Sequence, residues 1–436
     1  MSGSRASKNG PNGPAGKATA NAEAPDMPGR RAFLGGALAL GMTGPSFAAP
    51  SAAALALRTV RIGVLSDFSS IYSTAGGKGL IVAVQLAIDD FRRLVPNAPF
   101  RIELVSADHQ QKADVGANIA KRWYQRDGVE LVLDVVNSAV AFAVANVARQ
   151  EDKVVMFSGP GSARLTGDLC SPNTVHWTYD TYEVGNVLGS TITCQGGDSW
   201  AFITADYAFG REMEASATTA IRAYGGTVNG TFRHPVNTPD FSSLVLQAQA
   251  TEAKVVAFAN GGGDLVTAIS QANEFGLGRK QRLAALNANV VDIAAIGLAA
   301  AQGITLAEPF YWNLNPATRA WPRRFVARYG GSFPTLHHAG VYAATLHFLR
   351  ARATAPSTSG RGVVARMKTL KPVDPLFRNG RVRADGRVIH DIFVFTVKAP
   401  GRSRDPWDLY DLAAILPGDR AFRSMNAGNC PLVRPA

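Results

Sequence analysis

The sequence predicts an α/β fold of two Rossmann-like lobes, each built on a parallel sheet, with a ligand cleft between them. Strands and helices alternate through most of the 436 residues, which is the pattern of a parallel sheet covered by helices on both faces. The alternations are too many for one compact sheet. At residues 60–68 and 199–207 an apolar strand leads into an acid and an aromatic residue before a helix. Because ligands bind outside the carboxyl ends of strands in open α/β sheets, these two edges predict a shared cleft.

The first 56 residues differ from the rest of the chain. Residues 1–29 are rich in Gly, Pro, Ala, Ser and Asn, a composition typical of disordered segments. Arg30-Arg31 is followed by Phe33-Leu34, a short apolar run and a stretch of small residues, which match a twin-arginine export signal with its cleavage zone. The apolar run is too short for a permanent membrane span. We therefore expect a soluble periplasmic protein whose mature chain begins between residues 55 and 58.

The charge and the cysteines of the chain indicate which partners and metal sites to expect. Lys and Arg number 45 against 33 for Asp and Glu, a net charge of +12. These basic residues are scattered, without the motifs of a nucleic-acid-binding module, so we expect a solvated surface and no nucleic-acid partner. The three cysteines, Cys170, Cys194 and Cys430, allow three pairings if one disulfide forms. None has the spacing of a zinc site, so we expect no metal.

The first series of elements is predicted from the spacing of apolar residues. Continuous or alternating apolar runs predict strands, and apolar residues at helical spacing predict helices. Residues 129–136 are nearly all apolar, as expected for a parallel strand that is buried on both faces, and Asn137-Ser138 caps the next helix. The predicted strands are 60–65, 101–108, 129–136, 154–157 and 174–179, and the predicted helices are 80–91, 112–125 and 138–151.

A second series begins with a helix at residues 182–195. It continues with strands at 199–206, 227–232, 254–259 and 282–286, helices at 211–224, 242–250 and 265–275, and an extended segment at 304–312. Three further helices are predicted at 317–329, 337–352 and 362–370. Residues 382–388 and 391–397 are predicted to pair as a hairpin around Asp385-Gly386, and we expect the last stretch to be irregular.

Extended segments near residues 176–182, 308–313 and 390–394 are the natural junctions between the lobes. We predict that residues 57–178 and 312–389 form lobe 1, and that residues 179–311 and 390–436 form lobe 2 with a C-terminal tail.

No residues form a convincing catalytic group. Residues 159–162 do not match a nucleophile elbow, and neither a dinucleotide fingerprint nor a phosphate-binding lysine motif occurs. We interpret Asp67 and Asp206 as loop or cap acids rather than an acid–base pair. His337, His338 and His347 are interpreted as exposed or core-edge residues. We therefore predict no enzyme activity and no cofactor.

The strand-end loops are better suited to binding. Small hydrogen-bonding residues lie at 137–138, 158–162 and 260–263, where free backbone N–H groups at helix starts suit a carboxylate. Aromatic residues accompany them, namely Phe68, Tyr72, Tyr207, Phe209, Tyr311 and Trp312. Apolar walls with a few fixed polar groups are typical of a small-molecule cleft.

At this point the sequence resembles the leucine/isoleucine/valine-binding-like periplasmic substrate-binding proteins of ABC importers, which have the type I periplasmic binding fold. The similar segments are IGVLSDFSSIYSTAGGKG at 62–79, residues 154–162, CSPNTVHWTYDTY at 170–182, ITADYAFG at 203–210, ISQANEFGL at 269–277, AAQGI at 300–304 and AGVYAATLHFLRA at 339–351. The resemblance implies three crossovers between the lobes, hinge closure on the ligand, and delivery to membrane permease subunits by a protein that we expect to be a monomer.

The resemblance also implies which residues contact the ligand. Together with the loops above, it gives Tyr72, Asn137, Ser138, Ser158, Gly159, Gly161, Ser162, Tyr207, Phe209, Gly261, Gly262, Asn287 and Trp312. Amino-acid binders of this family hold the ligand ammonium with an acid near position 287, where this chain has Asn287. An amide lacks the charge that best offsets a buried ammonium.

The TADYAFG motif and the FYW motif at 310–312 resemble those of the subset of the family that binds aromatic or other non-amino-acid carboxylates. We therefore predict an aromatic or other non-amino-acid carboxylate as the ligand. The Cys430-Pro431-Leu432 ending is similar to that of this subset and implies a Cys170–Cys430 disulfide, with Cys194 free. The alternatives are a branched-chain amino acid or an amide in the same role, a ligand sensor for a membrane regulator, and an exported α/β enzyme.

Overall fold

The computed structural model describes residues 58–433. The predicted twin-arginine signal lies outside the described residues. In chain order, the first elements are β1 (Arg58–Ser66), α1 (Gly79–Leu94), β2 (Phe100–Asp108), α2 (Ala113–Gln125), β3 (Val129–Asp134), α3 (Ser138–Gln150), β4 (Val154–Phe157) and β5 (Thr174–His176). The five strands form one parallel sheet in the order β2-β1-β3-β4-β5. Strands β3 and β4 are buried at every residue, which explains their continuous apolar sequence.

The middle of the chain supplies most of a second sheet. Its elements are α4 (Thr181–Cys194), β6 (Ser199–Ala205), α5 (Ala208–Ala223), β7 (Thr227–His234), α6 (Ser242–Ala250), β8 (Val255–Ala259), α7 (Gly263–Glu274), β9 (Arg282–Ala285), α8 (Val290–Ile296), α9 (Leu298–Ala301) and β10 (Thr305–Glu308). Strands β6 to β10 run parallel to one another.

The last part of the chain packs helices against the first sheet and adds strands to the second. It contains α10 (Pro316–Tyr329), α11 (Leu336–Thr354), α12 (Gly360–Thr369), β11 (Arg381–Val382), β12 (Val388–Ile389), β13 (Ile392–Val397), β14 (Tyr410–Leu416) and α13 (Gly418–Ala421). Strands β13 and β14 add an antiparallel edge, so the second sheet has the order β14-β13-β10-β9-β8-β6-β7.

The chain passes between the two sheets three times. The first passage runs from β5 to β6, and the second from β10 to α10, α11 and α12. Helix α11 packs on α1 and β3, and α12 packs on β4. The third passage runs from β12 to β13, beside a bridge between His176 and Arg387. The prediction of two α/β lobes with three crossovers is confirmed.

The predicted hairpin at residues 382–397 is wrong in its second arm. The turn at Asp385-Gly386 forms, but it joins β11 to the two-residue strand β12. Strand β13 pairs instead with β10 and β14, and five of its six residues are buried. Burial on both faces requires a central place in a sheet, which the second sheet provides and a local hairpin does not. The C-terminal stretch that we expect to be irregular contains β14.

A disulfide joins Cys170 and Cys430, whose Cα atoms are 5.6 Å apart. This is the pairing that the resemblance implies, and Cys194 is free and exposed. The bond connects the loop after β4 to the end of the described chain. Within residues 58–433, no helix has the length and apolar character that a membrane crossing requires.

Candidate ligand-binding site

A cavity lies between the two lobes, where strands from both sheets end. The structure brings nine of the predicted residues together in its wall, namely Tyr72, Asn137, Ser138, Gly159, Gly161, Tyr207, Phe209, Gly262 and Asn287. They follow the carboxyl ends of β1, β3, β4, β6, β8 and β9, so the sheet topology gathers residues that are distant in sequence.

The loop after β1 is organised by the buried carboxylate of Asp67. One oxygen accepts the backbone N–H groups of Ser69 and Ser70, and the other accepts the Tyr72 N–H at 3.1 Å and the Gln111 side-chain amide at 2.9 Å. Burial raises the pKa of this carboxyl, but hydrogen bonds from Ser70, Ser69 and Tyr72 outweigh it and hold the pKa below its ordinary value. Asp67 therefore fixes the loop that carries Tyr72.

Tyr72 and Tyr207 meet across the cleft. Their hydroxyl groups are hydrogen bonded to each other, and Tyr207 is the residue at which helix α5 begins. Burial raises the pKa of Tyr72 to about 12, so its hydroxyl keeps its proton at neutral pH. The two side chains form a polar contact between the lobes beside the apolar ring of Phe209.

The start of helix α3 presents hydrogen-bond donors to the cavity. The Asn137 side chain accepts the N–H groups of Ala139 and Val140 and donates to Gln111. The Ser138 hydroxyl accepts the Ser162 N–H at 3.2 Å, which leaves its own proton for another acceptor. The Asn137 oxygen already accepts two of the first N–H groups of this helix, so the Ser138 hydroxyl is the donor that remains for an anion at this positive end of the helix.

Two of the predicted serines are engaged outside the cavity wall. The Ser162 hydroxyl lies 2.8 and 3.0 Å from the two carboxylate oxygens of Glu212 on α5, and Thr181 donates to the same carboxylate at 3.0 Å. Ser162 therefore joins the turn after β4 to the second lobe. Ser158 is fully buried, and its carbonyl accepts the hydroxyl of Thr178, while its own hydroxyl has no partner among residues 58–433.

Trp312 and Gly261 also lie outside the wall. The Trp312 indole N–H donates to the carbonyl of Trp407 at 2.9 Å, and its ring centre is 4.3 Å from that of Phe333. Gly261 lies behind Asn287, because a Cβ at position 261 would be 2.4 Å from the Asn287 amide nitrogen. Gly261 thus leaves room for that side chain.

Two glycines mark where the lobes approach each other. A Cβ at position 161 would lie 2.5 Å from the ring of Phe209, and one at position 262 would lie 2.5 Å from the carbonyl oxygen of Ile71. Gly262 also has a φ of +60°, in the region that disfavours other residues. Larger residues at either position would keep the lobes apart.

Six lining residues are absent from the prediction, namely Ala75, Val136, Pro160, Tyr179, Asn289 and His337. Tyr179 lies in the first crossover, where its hydroxyl donates to the Gly159 carbonyl at 3.0 Å. Asn289 follows the end of β9 as Asn287 does, so the same strand-end argument would have found it. No local signal identifies His337, because α11 reaches the cavity only through its packing on α1. His337, His338 and His347 are all buried, so an exposed position is wrong for each.

None of the fifteen lining residues within the described part of the chain carries a carboxylate, an ammonium or a guanidinium group. Asp264 is in the first turn of α7, and its carboxylate accepts the Asn237 N–H. Asp292 completes the cap of α8 with Asn289, and burial raises its pKa to about 7 despite hydrogen bonds from Asn289. Neither acid lies in the wall beside Asn287. The described residues also hold no cluster of His, Cys, Asp and Glu suited to a metal ion.

Known proteins share this fold and much of this sequence. The family model for periplasmic binding proteins matches residues 59–402. A periplasmic binding protein from Burkholderia mallei is 38% identical with a TM-score of 0.82, and the match covers 86% of this chain and 99% of that one. A branched chain amino acid ABC transporter periplasmic ligand-binding protein from Burkholderia xenovorans is 34% identical with a TM-score of 0.78, at the same coverage.

A more distant structure shares the fold. It is a solute binding protein of an ABC transporter from R. palustris in complex with benzoate, 18% identical with a TM-score of 0.70, covering 82% of this chain and 96% of that one. The family match spans most of the chain, and two of these relatives exceed 30% identity. This chain therefore belongs to the periplasmic binding protein family, as a ligand-binding partner of ABC transporter permease subunits rather than an enzyme.

Proposed function

We propose that this protein captures a small organic carboxylate, preferably an aromatic acid, by closure of its two lobes. The observation that carries the proposal is a cavity between the lobes whose wall has four aromatic side chains and no formally charged group. An amino acid brings an ammonium that needs a carboxylate partner when it is buried. An aromatic acid brings one anionic group and an apolar ring, which such a wall suits.

In this proposal the ligand carboxylate lies at the start of α3. Ser138 supplies a hydroxyl proton, and the positive end of the helix dipole favours the negative charge there. The ring then packs among Tyr72, Tyr179, Tyr207 and Phe209, which line the same cavity. Asn287 and the glycines of the second lobe close the other side. The benzoate complex of the distant R. palustris protein supports this class of ligand for a cavity of this fold.

A branched-chain amino acid is the second candidate in the same role. It is favoured by the relative from Burkholderia xenovorans, which is named for branched chain amino acid transport. An amide ligand would suit the side chain of Asn287, whose amide can both donate and accept a hydrogen bond. A sensing role for a membrane regulator uses the same cavity and differs only in the protein that receives the closed form.

We also propose that the chain is exported through a twin-arginine signal, acts as a monomer and has no nucleic-acid partner. Arg30-Arg31 and the following apolar run support the export route, and the scattered basic residues support the absence of a nucleic-acid site.

A thermal-shift screen of the purified mature protein tests the ligand class. The panel contains aromatic acids, branched-chain amino acids and small amides. A ligand at a hundredfold excess over Kd stabilises the fold by about 2.7 kcal/mol, so we expect an aromatic acid to raise the melting temperature most. A shift with amino acids alone would exclude the proposed class.

The variant Asn287→Asp sharpens this screen. A carboxylate in the cavity wall repels a carboxylate ligand and attracts an ammonium. We therefore expect weaker binding of the aromatic acid and stronger binding of branched-chain amino acids. An unchanged order of affinities would place the ligand away from Asn287.

A further inference from the structure

His337 stands apart from the other histidines of helix α11. It lines the cavity and is 4% exposed, and its ring packs edge-on against Tyr179. Its Nδ1 atom has no hydrogen-bond partner among residues 58–433. An unpaired buried polar atom costs about 1–3 kcal/mol, so its place in a binding cavity needs an explanation.

The neighbouring histidines are structural. His338 accepts the Thr335 N–H at Nδ1, and its Nε2 lies 2.8 Å from the Gly76 carbonyl oxygen. His347 lies 2.9 Å from the Met367 carbonyl oxygen through Nε2. Neither residue lines the cavity. The Nδ1 atom of His347 also has no partner among residues 58–433, so what distinguishes His337 is that it lines the cavity.

Most other polar side chains in the cavity wall are already engaged. Tyr72 and Tyr207 bond to each other, Tyr179 donates to Gly159, Asn137 caps α3, and Asn289 bonds to Asp292. A ligand therefore meets few side chains with unused hydrogen-bonding capacity. One is the Ser138 hydroxyl at the start of α3, and another is the imidazole of His337.

The imidazole of His337 is neutral at physiological pH. Burial lowers its pKa to about 4, although a hydrogen bond with the Ser158 backbone acts in the opposite direction. A neutral imidazole has one donor and one acceptor nitrogen. The donor nitrogen is taken by the Ser158 backbone, so the unpaired Nδ1 is the acceptor nitrogen. An acceptor matches the O–H of a hydroxyl group and not a carboxylate, which has no proton to donate.

We propose that His337 is a specificity-determining residue that hydrogen-bonds a hydroxyl substituent of the ligand, so that the preferred ligands are hydroxylated aromatic acids. This inference rests on the proposed aromatic-acid function and adds the second polar group that such a ligand carries. A site that hydrogen-bonds a hydroxyl discriminates against the analogue without it, because the buried polar group of the site is then left unpaired.

The test is calorimetric titration of the mature protein with benzoate, 3-hydroxybenzoate and 4-hydroxybenzoate. We expect the wild type to bind one hydroxylated acid about tenfold more tightly than benzoate, which corresponds to about 1.4 kcal/mol. In His337→Phe we expect this ratio to fall to within about threefold, because a phenyl ring offers no hydrogen bond to the hydroxyl group of the ligand. His337→Gln, which can still hydrogen bond, should keep part of the preference.

His347→Phe is the matched control, since it changes a buried histidine of the same helix outside the cavity. It should keep the wild-type ratio. Equal affinities of the wild type for all three acids, or a preference that survives in His337→Phe, would overturn the role of His337. A uniform loss of affinity in His337→Phe would also overturn it, because it indicates a structural effect. Absence of binding by all three acids would instead reject the proposed function, and the inference with it.

Discussion

The two turns that face each other across the cleft share a sequence pattern but differ in what holds them. Each places an acid at the end of a strand, Asp67 after β1 and Asp206 after β6, and a tyrosine shortly after it. Asp67 is fully buried. The side chain of Asp206 is 40% exposed and pairs with Arg211 at 2.7 Å and Arg233 at 3.8 Å. Only the first turn depends on its acid.

The reason lies in the hydrogen bonds that each turn needs. The Tyr72 loop has no regular structure, so its backbone N–H groups require an acceptor, and the buried Asp67 carboxylate supplies one. Tyr207 is placed by the start of helix α5, whose own hydrogen bonds hold it. The same pairing of an acid with an aromatic residue therefore has two outcomes. In one lobe the acid holds the loop backbone, and in the other it forms ion pairs at the surface.

The largest expected difference is between Asp67→Ala and Asp206→Ala. The first removes the carboxylate that accepts three backbone N–H groups, and a hydrogen bond to a charged group is worth about 1.5–3 kcal/mol. We expect a loss of at least about 3 kcal/mol in the free energy of unfolding. The second removes a surface ion pair worth about 0–1 kcal/mol. Chemical denaturation of both variants measures the two losses, and equal losses would contradict the comparison.

The pH dependence sharpens the comparison with a third strand-end acid, Asp134. The pKa of Asp67 is lower in the folded state, so its stabilisation is present above about pH 4 and is lost as the pH falls further. Burial raises the pKa of Asp134 to about 7, against a hydrogen bond from Ser66. The stability linked to its proton is complete below about pH 4 and is lost as the pH rises through about 7.

We therefore expect opposite trends for the two asparagine variants. The stability deficit of Asp67→Asn relative to wild type should shrink between about pH 5 and pH 3. Asp134→Asn should gain stability relative to wild type between about pH 5 and pH 8. Denaturation curves across this range provide the measurement, and parallel trends would show that the two carboxyls share one environment.

The smallest expected effect concerns the contact between Tyr72 and Tyr207. Each single change to Phe removes the same hydrogen bond, which is worth about 0.5–1.5 kcal/mol. The double variant should then lose little more than either single variant, with a coupling of about 0.5–1.5 kcal/mol in a double-mutant cycle. Strictly additive losses would mean that the two hydroxyls do not meet in solution.

Most strands and helices can be predicted from the local pattern of apolar and turn residues. The prediction fails where a strand pairs with partners that are distant in the sequence. Strand β4 and helix α6 have the predicted limits, and most other elements differ by a few residues. The second arm of the predicted hairpin fails because β13 finds partners in β10 and β14, which are distant or later in the chain. Alternation predicts a strand, but it does not choose the neighbour of that strand.

The residues of the candidate site were likewise predicted only in part. Strand-end loops and the family resemblance identify nine of the fifteen lining residues. They also include Ser162, whose hydroxyl is bound by Glu212, and Trp312, whose indole bonds to Trp407. A strand-end side chain can point into the cavity or bond to other residues of the protein. Which of the two occurs depends on the residues that the other lobe places beside it.

Apolar periodicity and turn residues act over short distances, so the alternation of strands and helices, the two lobes and the small-molecule character of the cleft could be predicted from the sequence. The place of His337 at the cavity, the contact of Tyr72 with Tyr207, and the burial of Asp67 but not of Asp206 are known only from the three-dimensional structure. These outcomes depend on how two lobes pack across three crossovers. That packing brings together residues more than a hundred positions apart in the sequence, and local sequence patterns do not predict such contacts.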